Sequence, residues 1–145
     1  MKIAVRYLSR GGNTRAVAEA IAKAAEVKAE QIDVPLGEAV DILFLGSGVY
    51  AFNVDRKVKD YLEALNPSDV KTIAAFSTGS TMSGTGKITA AAKAMGIPVC
   101  TNELPIKMGV KNTNFLGGEG NITLSKKQIS LIEDFVKQAI GEQRS

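Results

Sequence analysis

Histidine and tryptophan are absent from this 145-residue chain, cysteine occurs once, and aromatic residues make up 6% of it. Each shortage removes a kind of chemistry. Without histidine there is neither the commonest general base near neutral pH nor the commonest metal ligand, and the single thiol, Cys100, builds no internal disulfide and no thiolate metal site. Hydrolytic triads and zinc chemistry are therefore disfavoured, and no catalytic or metal-binding side chain is assigned. No apolar run is long enough for a membrane helix and no secretory signal is evident, so the expected compartment is the cytoplasm, without membrane insertion. The 18 basic and 15 acidic residues leave a formal charge of only +3, and the basic ones form no block interleaved with aromatics, which argues against nucleic acid as a partner. Cys100 lies in an apolar segment and reads as a small buried side chain rather than a redox thiol.

What the chain does have is an alternation of apolar periods. A hydrophobic content of 45% over this length suffices for one core, so residues 1–145 are expected to form a single domain. Lys2 to Leu8 reads as a strand, and Thr14 to Ala25 as a helix with Val17, Ala18, Ile21, Ala24 and Ala25 at three- and four-residue steps. Ala29 to Val34 is a weaker strand ending at Pro35. Asp41 to Ser47 is a continuous apolar run of the kind buried on both faces of a sheet, hence a central strand. The pattern continues with a helix from Asp55 to Leu65, a strand from Lys71 to Ser77, a helix from Lys87 to Met95 stopped by Gly96, a strand within Pro98 to Met108, and a final amphipathic helix from Lys126 to Ile140. Strands separated by helix-length segments call for right-handed parallel crossovers and a five-stranded, doubly wound parallel sheet.

In such a sheet a ligand sits beyond the carboxyl ends of the strands, which directs attention to three loops: Ser9 to Thr14, Gly48 to Val54, and Thr78 to Gly86. The first is the most specific. Small and hydroxylic residues between a strand and a helix let the backbone approach an anion, and the free N–H groups and dipole of the helix point at it. Ser9, Arg10, Gly11, Gly12, Asn13 and Thr14 are accordingly phosphate-site candidates, although the same residues also suit a simple capped helix start. Two other matches are weaker. Gly46 to Ala51 formally fits a dinucleotide fingerprint but does not follow the first strand, and Ser83 to Ile88 imitates a nucleoside-triphosphate loop without its first glycine or its metal-binding hydroxyl. Lys107 to Thr123, rich in glycine and asparagine, reads as either a long loop or a lid.

The phosphate-type loop after the first strand, Gly-Ser-Gly-Val-Tyr after the third and Ser-Thr-Gly-Ser after the fourth together resemble a short-chain flavodoxin across essentially the whole chain. The family pattern is Thr/Ser, any residue, Thr/Ser, Gly, any residue, Thr; Ser9, Gly12 and Thr14 match it, and Gly11 replaces the second hydroxyl. One missing neutral hydrogen bond is worth about 1 kcal/mol, or about fivefold in affinity. The resemblance implies a three-layer sandwich with strand order 2-1-3-4-5, FMN as cofactor, and transient electron transfer between a reductase and an acceptor enzyme. It further implies flavin-ring contacts from Val49, Tyr50, Ala51, Phe52 and Asn53 in one loop and from Thr78, Gly79 and Ser80 in the other. The second loop offers no aromatic residue, leaving one face of the ring less covered. Flavodoxins are typically acidic and this chain is net basic, with Arg10, Arg56, Lys107 and Lys111 in or near the loops, so their usual potentials and partners do not transfer. The alternatives to a redox carrier are an FMN-dependent NAD(P)H:quinone-type oxidoreductase and a cofactor-free interaction module.

Overall fold

The computed structural model describes residues 1–50, 53–54, 56–79, 84–107 and 122–144. Within them strands β1 (Ile3–Leu8), β2 (Ala29–Gln31), β3 (Val40–Tyr50), β4 (Asn53–Val54), β5 (Val70–Gly79) and β6 (Leu104–Lys107) alternate with helices α1 (Asn13–Ala25), α2 (Arg56–Ala64), α3 (Thr85–Ala94) and α4 (Lys126–Arg144). Five strands pair in parallel in the order β2-β1-β3-β5-β6, and the two-residue β4 folds back antiparallel on the end of β3. With β4 set aside, this is the 2-1-3-4-5 order of the expected sandwich.

The apolar run of β3 explains the layers. Successive side chains of a strand point to opposite faces, so Ile42 and Phe44 join a core with Val17 and Ile21 of α1 and Ile132 and Phe135 of α4. Leu43 and Leu45 face the other way, into a core with Val58 and Leu62 of α2 and Ile88 and Ala92 of α3. The Phe44 and Phe135 rings meet edge to face, 5.6 Å apart at 69°. Such a contact contributes about 0.5–1.5 kcal/mol beyond burial itself. Gly46 is required by the neighbouring strand. A Cβ there would sit 2.1 Å from the Phe76 ring, far inside contact distance.

Several boundaries depart from the sequence reading. β3 runs on to Tyr50 and β5 to Gly79, because the parallel pairing continues through Ser47 with Ser77 and Gly48 with Thr78. Glycine and hydroxyl composition signals a loop locally, but the hydrogen bonds of a central pair override that preference. β2 ends at Gln31, α3 starts at Thr85 and α4 continues to Arg144. Where β2 stops, Arg6 holds the chain. Its buried guanidinium donates to the carbonyls of Val34 and Pro35, both at 2.9 Å, and lies 3.5 Å from the Glu30 carboxylate.

Candidate functional site at the carboxyl edge of the sheet

β1 lies between β2 and β3, so the crossovers leave it in opposite directions and open a crevice at its carboxyl end. The Ser9 to Gly12 turn emerges there. Gly12 precedes α1 with φ of 91°, a left-handed conformation that glycine adopts without strain, and no side chain caps the helix. Ser9 Oγ instead accepts the Gly12 N–H at 3.0 Å. Helical geometry gives the next N–H groups, those of Asn13 and Thr14, no intrahelical acceptor. The Asn13 side-chain oxygen, an acceptor, is buried there without a partner, which leaves it open to a donor rather than to an anion.

The same arrangement recurs at α3. Gly84 precedes it with no side-chain cap, and Ser77 Oγ accepts the Gly84 N–H at 3.1 Å. The two turns are joined by the buried hydroxyls of Thr14 and Thr78, 2.7 Å apart although 64 residues separate them. Ser47, fully buried, donates to its neighbour's carbonyl, Gly48 O, at 2.9 Å. Hydroxyl side chains thus form a buried belt beneath the crevice, each carrying a hydrogen bond as burial demands.

Of the candidates from sequence, Ser9, Gly12, Asn13, Thr14 and Thr78 are drawn together around this turn. Arg10 and Gly11 are exposed on it, while Val49 and Gly79 are half-buried at the ends of β3 and β5. Asn13 and Thr14 begin the helix rather than cap it. Tyr50 and Asn53 are strand residues paired across a two-residue hairpin, not members of an open loop. Ala51, Phe52 and Ser80 lie outside the described residues, as do Lys111 and most of the Lys107 to Thr123 segment. The dinucleotide-like match has no structural counterpart, since Gly46 to Tyr50 continue β3 instead of turning into a helix. Ser47 and Ser77 were missed by the sequence reading. Their signal was present as two hydroxyls interrupting aliphatic strands, but only strand register reveals that they are neighbours.

Cys100 is buried 3.8 Å from the Thr72 hydroxyl, and burial pushes its thiol pKa up. Among the described residues no group of three potential ligands could hold a metal, and no helix is long and apolar enough to cross a membrane. Two grooves lie on the helix-covered flanks of the described residues. One of about 640 Å³ runs between α2 and α3, and one of about 460 Å³ lies beside Tyr61 near the amino ends of the strands.

No family model and no curated protein matches the chain by sequence. Its fold nevertheless has clear counterparts. A flavodoxin from the domain Archaea superposes with a TM-score of 0.80 over all of both chains at 20% identity. Oxidised Flavodoxin 2 from Bacillus cereus gives 0.73 over 98% of this chain and 99% of its own, at 17% identity. Rubredoxin oxygen:oxidoreductase from Desulfovibrio gigas gives 0.75 at 13% identity, covering 99% of this chain but only 36% of the larger protein. With its parallel five-strand order and its helices on both faces, the chain is a flavodoxin-like α/β protein.

Proposed function

We propose that the chain binds FMN and carries electrons between a reductase and an acceptor enzyme in the cytoplasm, as a single domain. One observation carries this reading: the start of α1 is left without a side-chain cap at the crevice beside β1, behind a left-handed Gly12. The phosphate of FMN fits that place. The Ser9 hydroxyl, the Asn13 side-chain N–H₂ and the backbone N–H groups of Asn13 and Thr14 would hold it, with the positive end of the α1 dipole beneath. The Thr14–Thr78 bond would keep the phosphate turn and the end of β5 in fixed relation, and the half-buried Val49 and Gly79 at the ends of β3 and β5 would border the ring. When bound, FMN supplies reversible one- and two-electron chemistry, and the protein tunes it through hydrogen bonds, burial and charge. No side chain then needs to act as a proton-transfer catalyst, in keeping with the lack of histidine.

Titration of apoprotein with FMN and with riboflavin, followed by quenching of flavin fluorescence, tests the reading. Two charge-assisted hydrogen bonds at about 1.5 kcal/mol each correspond to about 100-fold, so riboflavin should bind at least that much more weakly. Binding of neither flavin overturns the proposal and leaves a cofactor-free interaction module. Steady oxidation of NAD(P)H by holoprotein alone replaces the carrier by an oxidoreductase.

A further inference from the structure

Thr14 and Thr78 meet across the central strand. Thr14 stands in the first turn of α1, which follows β1, and Thr78 lies near the end of β5, with β3 between those two strands. Alternate positions of a strand share a face, so Gly46 and Gly48 follow Ile42 and Phe44 on the side that α1 and α4 cover. Thr78 likewise follows Ala74 and Phe76 on that side of β5. Gly48 is the residue of β3 paired with Thr78, and its lack of a side chain leaves the space between the two threonines open. Their hydroxyl oxygens are 2.7 Å apart.

A hydroxyl has one proton to donate and lone pairs to accept with, so the bond between these two uses one proton of the pair and leaves the other. Thr14 is 1% exposed and Thr78 4%, and among the described residues neither hydroxyl has a further partner. The leftover proton belongs to whichever threonine accepts. A buried O–H without an acceptor is costly, and an anion at the Ser9 to Thr14 turn supplies one. Thr14 belongs to that turn and Thr78 to the sheet beyond it. The anion is therefore within reach of the Thr14 proton, which is free only when Thr78 donates to Thr14. That direction also strengthens the contact, because a hydroxyl that accepts one hydrogen bond is polarised to donate another. Ser9 is set in the same sense: its oxygen accepts the Gly12 N–H at 3.0 Å, leaving its own proton to donate.

We infer that Thr78 is a positioning residue for the phosphate of FMN, aiming the Thr14 proton at the phosphate through the bond between the two hydroxyls. The inference rests on the proposed FMN binding and deepens it. It also departs from the family resemblance, under which Thr78 would touch the flavin ring: the side chain is engaged by the start of α1 and serves the opposite end of the cofactor.

Riboflavin, which has the ring without the phosphate, separates the two roles. Apoprotein of the wild type and of Thr78→Val, Thr78→Ser, Thr14→Val and the double valine variant is titrated with FMN and with riboflavin by flavin-fluorescence quenching. Circular dichroism verifies the fold of each, and Thr78→Ala takes the place of Thr78→Val should the valine variant not fold. Thr78→Val should weaken FMN about fivefold, the worth of one neutral hydrogen bond, and change riboflavin by less than about twofold. Thr78→Ser keeps a hydroxyl at that place and should return FMN affinity to within about twofold of the wild type. In the Thr14→Val background, Thr78→Val should cost FMN less than about twofold more, since no Thr14 proton remains to be aimed. An equal loss for FMN and riboflavin overturns the inference in favour of a ring contact. So does an FMN loss that serine does not restore, full additivity of the two valine substitutions, or no loss at all. If the wild-type protein binds neither flavin, the FMN reading falls and the role of Thr78 falls with it. Tight FMN binding that Thr78→Val leaves untouched removes the role of Thr78 alone.

Discussion

Two helix starts in this molecule solve the same problem in opposite ways. At α4, Ser125 and Gln128 form a reciprocal box: Ser125 Oγ accepts the Gln128 N–H at 3.1 Å and Gln128 Oε1 accepts the Ser125 N–H at 2.8 Å. At α1 a glycine stands where that serine would be, and the nearby serine hydroxyl is turned back onto the glycine N–H. A box of this kind is worth about 1 kcal/mol against an alanine start, whereas a glycine start such as that of α1 gives up only about a few tenths of a kcal/mol. The α1 start also bears the buried, unpartnered Asn13 oxygen. On the proposed reading, the difference separates a helix end built for stability from one whose backbone N–H groups are kept for a ligand.

Substitutions can break this contrast at either end. The largest effect is expected from Phe135→Ala, which leaves the α4 box intact but removes the ring packed on Phe44. Urea unfolding should show a loss of about 3–5 kcal/mol, demonstrating that packing outweighs capping. Thr14→Val comes next. It leaves the buried Thr78 hydroxyl without its partner, so stability should fall by about 1–3 kcal/mol, and FMN affinity should fall about tenfold in the same quenching titration.

Ser125→Ala should cost about 1 kcal/mol in thermal or urea unfolding and leave FMN affinity unchanged, since the box faces no ligand. An equal loss of FMN affinity would erase the distinction between the two starts. The smallest effect sharpens it most. Asn13→Asp and Lys126→Glu each put negative charge in a first turn and should each stabilise the apoprotein by about 0.3–1 kcal/mol. Only at α1 should this come with a more than tenfold loss of FMN affinity, because the new carboxylate repels the phosphate.

Much of the layout was legible because its causes are local. Val17, Ala18 and Ile21 mark one face of α1 at helical spacing, and the unbroken run from Ile42 to Leu45 marks a strand covered on both sides. The turn from Ser9 to Thr14 stood out for the same reason: a strand end, two glycines and flanking hydroxyls are adjacent in the chain. The extension of β3 to Tyr50 and the hairpin to β4 were not legible, because a Gly-Ser-Gly segment becomes strand only beside a partner that supplies hydrogen bonds. Arg6 was equally silent. An arginine in a strand reads as solvent-facing until the carbonyls of Val34 and Pro35, 28 and 29 residues away, are seen to enclose it.

The sequence by itself determined the alternation of strand and helix, and with it a doubly wound parallel sheet, since periodicity and short-range sterics act within a few residues. It also determined the phosphate-like turn, whose chemistry is contained in six consecutive positions. Only the tertiary structure decided that Thr14 would meet Thr78 and that Ser47 and Ser77 would stand side by side. Those relations depend on register and crossover direction, which arise when separate elements bury their apolar faces together, and no local stretch of chain contains them.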